Sequence, residues 1–276
     1  MVGDCKIDSK WNVKQHRGFK STADTDARKY DFIVPSKNEY TFSMQYIPVK
    51  RLTSPKYDFR HFLGFWMNAS SSTAAGGAWT YATNCTTSLS GFTLYKQTSN
   101  INTQLNGCVG SRLQVKTSID NPVEIMAEGM GTLASYASLN RTAASSLTNG
   151  VPFYWSDCQV YINGSLSTNV TAFEFTINNN GTSEHTLGNR DPRVVYPTGR
   201  DVELHLTRFF NDTGTYAGSK AGNQDAVTIS MTDSALGGTA YFLFRTCVSD
   251  DFQNPSDIEK LLTYETIYHV KSFSLA

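Results

Sequence analysis

V-P-F-Y-W-S-D-C-Q-V-Y-I-N-G (residues 151–164), N-V-T-A-F-E-F-T-I-N-N-N-G (169–181) and R-D-P-R-V-V-Y-P-T-G-R-D-V-E-L-H-L-T (190–207) follow one another in the middle of the chain. The first reads as a strand ending at an Asn-Gly turn, which suits a hairpin. The second alternates with period two: Phe173, Phe175 and Ile177 point one way, Ala172, Glu174 and Thr176 the other. In the third, Val202, Leu204 and Leu206 oppose Asp201, Glu203, His205 and Thr207. Two-faced alternation of this kind places one face in a core and the other in water.

Outward from this block the same period recurs. Strands are expected at 40–49, 91–96, 108–116, 122–130, 226–231, 240–247 and 263–273, with a hairpin turn at 118–121. One helix is expected from Pro55 to about Met67, capped by Ser54, with Phe59, Phe62, Leu63 and Trp66 on one face. A Ser256…Glu259 capping box allows a second, short helix. The stretches 68–90, 132–150 and 211–225 read as long loops. Trp79 and Tyr81, inside the first of these, are candidate contact residues, packing either on a partner or back on their own domain. The fold class that follows is mainly β: an antiparallel β-sandwich or flattened barrel with one flanking helix and long loops. Residues 1–37 read as an arm or irregular lead-in, and 38–276 as a single β domain.

The 276 residues can bury a sizeable core, and only 17% of them are charged. Net charge is zero, with 12 Lys/Arg against 7 Asp/Glu in residues 1–60 and the reverse imbalance beyond. A mildly basic arm thus precedes a mildly acidic body. Cys5, Cys85, Cys108, Cys158 and Cys247 are scattered and lack metal-site spacing; buried free thiols are expected, with room for one disulfide. The N-terminus lacks the apolar stretch of a signal peptide and no run suits a membrane span, so synthesis in the cytoplasm without membrane insertion is expected. Seven N-x-[ST] sequons do not alter that expectation.

Chemistry-bearing motifs are missing from the sequence. No phosphate loop, dinucleotide fingerprint, H-E-x-x-H or G-x-S-x-G occurs, and the five histidines are far apart. Glu184, His185 and Asp191 read as a solvated loop, and Arg190 and Arg193 as turn charges able to bridge to a neighbour. No basic, aromatic-interleaved patch favours nucleic-acid readout. No enzyme activity, cofactor or metal is expected.

Set in order, Y-T-F-S-M-Q-Y (40–46), F-R-H-F-L-G-F-W (59–66), L-N-G-C-V-G-S-R-L-Q-V-K-T-S-I-D-N-P-V-E-I-M-A-E-G-M-G (105–131) and the three quoted segments resemble the tail tube proteins of long-tailed phages and their contractile-tail relatives. The resemblance covers residues 38–276 and implies a tail-tube-like fold. It also implies a virion subunit forming stacked, commonly hexameric rings around a lumen that passes viral DNA without sequence-specific binding. Implied partners are further copies of the chain, the tape measure protein, the tail terminator and the tail tip or baseplate. The loop 68–90 and the charged arm depart from the family pattern. Strand alternation nominates Arg112, Gln114 and Lys116, and Asp201, Glu203 and His205, as polar faces lining either the lumen or the tube exterior. Two alternatives are another β-rich virion component, such as a terminator or decoration protein, and a carbohydrate-binding or hydrolytic β-sandwich.

Overall fold

The structure is a computed structural model; it describes residues 2–16, 32–50, 59–67, 89, 91–97, 102–136, 151–209, 224–234, 238–253 and 263–275. The chain opens with β1 (Val2–His16) and β2 (Phe32–Tyr46), then the helix α1 (Phe59–Met67). Next come β3 (Phe92–Gln97), β4 (Asn102–Ser118), β5 (Glu124–Gly131) and β6 (Leu133–Tyr136). The central block gives β7 (Cys158–Ile162), β8 (Ser165–Ser167), β9 (Val170–Asn178), β10 (Gly181–Glu184), β11 (Val194–Pro197) and β12 (Asp201–Phe209). It closes with β13 (Gln224–Thr232), β14 (Thr239–Gln253) and β15 (Thr263–Leu275).

Most of these strands form one antiparallel sheet ordered β1-β2-β5-β4-β9-β12-β15-β14-β13-β7-β8, with β3 and β6 added to β4; β10 and β11 pair separately. The sheet folds over on itself. Three strand spacings separate β9 from β14, on the order of 14 Å if the sheet were flat. Yet Phe175 of β9 lies 5.0 Å from Phe242 and 5.3 Å from Phe244, ring centroid to centroid. The β15–β14–β13–β7 half therefore folds over the β5–β4–β9–β12 half. Phe175, Phe242, Phe244, Leu204 and Leu206 are sealed between them. The antiparallel sandwich or flattened barrel expected from the alternation is the architecture observed.

Helix α1 closes the core beside β4. Phe59 packs edge-on against Phe153, and Phe62 and Trp66 pack with Tyr46 and Phe42 of β2. Gly110 makes room for the helix: a Cβ there would sit 2.5 Å from the Trp66 indole. The indole N–H donates to the Glu128 carbonyl at 3.0 Å. Asn179, fully buried, donates to the carbonyls of Trp66 (2.9 Å) and Gly110 (3.1 Å) and accepts from Arg200 Nε (2.9 Å). Arg200 Nη1 in turn reaches Met67 O at 3.3 Å. These two side chains satisfy carbonyls that a helix C-terminus leaves without an intrahelical partner.

Several elements differ from the sequence reading. Residues 2–16, read as an arm or irregular lead-in, form a regular strand paired with β2 from Val2↔Tyr46 to His16↔Phe32. Pairing of β2 with β5 stops at Tyr40↔Gly131, so the rest of the hairpin runs on as a two-stranded ribbon. The expected loop at 132–150 begins with strand β6. Ser54, Pro55, Trp79, Tyr81, the Ser256…Glu259 segment and residues 68–88, 137–150 and 211–223 lie outside the described residues. The Asn-Gly turn is present: Asn163 (φ 51°) and Gly164 (φ 79°) join β7 to β8 with two left-handed residues, as a tight hairpin turn demands.

Candidate functional site

One surface brings the nominated polar residues together. Strand β9 lies between β4 and β12, and its outward side chains bridge them. Arg112 pairs with Asn178, Gln114 with Thr176 and Lys116 with Glu174 across β4–β9. Asp201 pairs with Asn178, Glu203 with Thr176 and His205 with Glu174 across β9–β12. The two triplets, ninety residues apart in sequence, thus form one polar sheet face. Register carries it onto β5 through Glu124, Met126 and Glu128, onto β2 through Ser43 and Gln45, and onto β15 through Glu265 and His269. Behind it, Val115, Phe175, Ile177 and Leu204 are buried. One side is oil and the other is water, as one-residue alternation requires.

The face is acidic. Glu124, Glu128, Glu174, Asp201, Glu203 and Glu265 outnumber Arg112, Lys116 and Lys271 on β4, β5, β9, β12 and β15. Its polar groups are tied to one another. Gln114 Nε2 donates to Glu174 Oε1 at 2.6 Å, Lys116 Nζ lies 3.5 Å from Glu124, and His205 Nδ1 contacts Glu265 Oε1 at 2.7 Å. Glu203 sits within 3.9 Å of His205 and 3.8 Å of His269. Asn180 donates to Asp201 at 3.0 Å. Among the described residues no group of three or more His, Cys, Asp or Glu is placed to hold a metal ion.

A second polar cluster pins the loop between β10 and β11 to β2. Asp191 Oδ1 accepts from Asn38 Nδ2 and from Tyr40 OH, both at 2.7 Å. Arg190 donates to Ser36 O at 3.0 Å and to Asn38 Oδ1 at 3.3 Å, and the Asn38 backbone N–H donates to Arg190 O at 2.8 Å. The hydrogen bonds from Asn38, then Tyr40, hold the Asp191 carboxyl below its ordinary value, while burial, then Asp191, raises the Tyr40 hydroxyl. The Arg190 guanidinium, expected to bridge to a neighbour, binds its own chain, and Asp191 is a clip where a solvated loop was expected. Arg193 is exposed, its backbone N–H bonded to Glu184 O at 2.8 Å.

Glu174, Glu265, His269, Glu124 and Glu128 are members of the face that strand alternation did not nominate. The signal for Glu174 was present in its strand. In β15 it is blurred, because Thr266 is buried while Ile267 faces outward. Cys108, Cys158 and Cys247 are free thiols, pushed up by burial to about 11, 12 and 11.

The family model described as phage tail tube protein matches residues 51–266, well over half of the chain. The chain belongs to the phage tail tube protein family. The match includes β4, β9 and β12 and so the centre of the acidic face. As a tail tube protein it is a structural component of the virion tail. Comparison with curated proteins gave no match. Among the described residues no helix of this tail tube protein is long and apolar enough to cross a membrane.

Proposed function

We propose that this tail tube protein assembles into stacked six-membered rings, and that the acidic face of β5, β4, β9, β12 and β15 lines a lumen through which viral DNA is delivered. The observation that carries the reading is the continuous, mainly polar face backed by a mainly apolar one. A conduit wall must be wetted on the inside and must not hold its cargo. Each Lys or Arg that neutralises a phosphate adds affinity, and a surface of mostly carboxylates adds none. The edge of β1, which pairs with β2 alone among the described strands, supports assembly as well, since pairing between subunits removes strand edges that otherwise template aggregation. On this reading the protein needs no cofactor and catalyses nothing. Its partners are further copies, the tape measure protein, the terminator and the tail tip or baseplate.

Negative-stain electron microscopy of the purified chain over a concentration series tests the proposal. Hollow tubes or stacked six-fold rings are expected. Solid filaments, or monomers at every concentration even with tail-tip complexes added as seeds, refute it. Discs that cap tubes without extending them identify a terminator.

A further inference from the structure

Leu187, at the tip of the loop between β10 and β11, is 104% exposed, against 58% for Val151, the next most exposed large apolar residue among the described residues. Isolated surface leucines are ordinary, but the loop that carries this one is tied down by hydrogen bonds on either side. Gly188 adopts φ 83°, Asn189 N–H donates to Thr186 O at 3.2 Å, and the Asp191–Asn38–Tyr40 clip fixes the loop on β2. A preorganised apolar tip loses little freedom when it is buried.

The same molecule carries a groove of about 330 Å³ at its other end, between β7–β8 and the start of β9. Trp155, Val160, Leu166, Val170 and Phe173 supply its apolar surface, and Trp155 and Leu166 are about half exposed. All the described side chains lining the groove are uncharged, as are Thr186, Leu187, Gly188 and Asn189 at the tip. Joining the two therefore strands no charge in an apolar contact. The groove lies beside residues 170–173 and the tip follows residue 178 by way of β10. Strand rise alone separates them by on the order of 20 Å or more, so one copy cannot satisfy itself.

We propose that the Leu187 tip of one copy seats in the Trp155–Leu166 groove of a second copy. Two different patches at opposite ends of one strand make a head-to-tail contact, which repeats from copy to copy and builds rings or filaments. One such contact is far smaller than a stable interface of about 1,600 Å². It acts by adding to the other contacts of the assembly, where several weak contacts work as one. The inference rests on the tube reading above.

The test compares wild type with Leu187→Asp in the same concentration series, scored by sedimentation and microscopy. The variant is expected to keep the wild-type thermal midpoint and to need roughly ten-fold or more protein to form tubes, the loss expected for one buried leucine. In a second measurement, Leu187→Cys and Leu166→Cys proteins are co-assembled and oxidised. With Cys158, which also lines the groove, replaced by Ser in all three proteins, they should give a disulfide-linked dimer that Leu187→Cys with Leu133→Cys does not. Assembly of Leu187→Asp at the wild-type concentration without the specific cross-link overturns the contact and leaves the tube reading standing. A lowered thermal midpoint also overturns it, because Leu187 would then belong to its own chain's packing. Wild-type protein that never forms tubes or rings overturns the tube reading and the contact with it.

Discussion

Replacing Asn179 by Ala should be among the most damaging changes available in this chain. Its side chain is fully buried and makes three hydrogen bonds: to Trp66 O, to Gly110 O and from Arg200 Nε. Truncation leaves two carbonyls without this donor and removes one acceptor from Arg200. An orphaned buried polar group costs about 1–3 kcal/mol. Allowing for partial relaxation around the smaller side chain, the sum is about 3–4 kcal/mol. For a domain of this size that is a fall of about 10 °C in Tm. Urea unfolding followed by circular dichroism, below the assembly concentration, measures it directly. Thr176→Ala, on the wet face of the preceding strand β9, should change stability by no more than about 0.5 kcal/mol. Hydrogen exchange should show the end of α1 opening in the Asn179 variant, because that helix terminus loses its cap. A loss below about 1 kcal/mol, or one no larger than that of Thr176→Ala, refutes the assignment of Asn179 as the tie between α1 and the sheet.

Other consequences are as concrete. The folded state lowers the Asp191 carboxyl, so the clip adds stability above the unfolded carboxylate value and loses it as pH falls through the lowered one. Urea midpoints of wild type and Asp191→Asn should therefore differ by a constant amount near neutral pH and converge below about pH 4; a gap that widens in acid contradicts the sign. Tyr40→Phe removes one donor to that carboxylate and should cost about 1 kcal/mol in the same assay. Gly110→Ala drives a Cβ to 2.5 Å from the Trp66 indole and should destabilise by about 2 kcal/mol, readable as a drop in Tm. Glu174→Lys with Glu203→Lys reverses charge at the centre of the acidic face. Assembled variant tubes should retain duplex DNA in a salt-dependent way, with the slope of log K against log salt steepening by about 0.9 for each phosphate newly contacted. Unchanged DNA retention would place the face outside the lumen.

The fold class was legible because alternation is a local property. Phe173, Phe175 and Ile177, and Val202, Leu204 and Leu206, show their buried faces without reference to any partner strand, and all six are buried. The Asn-Gly turn was legible too, since left-handed backbone at two successive positions is a demand on residue type alone. Partner choice was not legible. Nothing local to Arg112 or Asp201 states that β9 comes between them, because antiparallel pairing over long separations is decided by which apolar faces must share one core. The N-terminal hairpin was legible and was missed: Cys5, Ile7, Trp11 and Val13 alternate with Lys6, Asp8, Lys10, Asn12 and Lys14, but the density of charge made the apolar positions read as scattered. Asn178, Asn179 and Asn180 make the distinction sharpest. In sequence they are one polar cluster ending a strand. In the folded chain Asn178 joins the wet face, Asn179 is buried as the tie to the helix, and Asn180 takes a left-handed turn at φ 48°. The sequence by itself determined that strands alternate and where they turn, because those follow from each residue's own chemistry and backbone freedom. The order of the strands, the joining of two distant polar triplets into one acidic wall and the burial of a single asparagine were decided only by tertiary packing, where each depends on what the rest of the chain brings alongside.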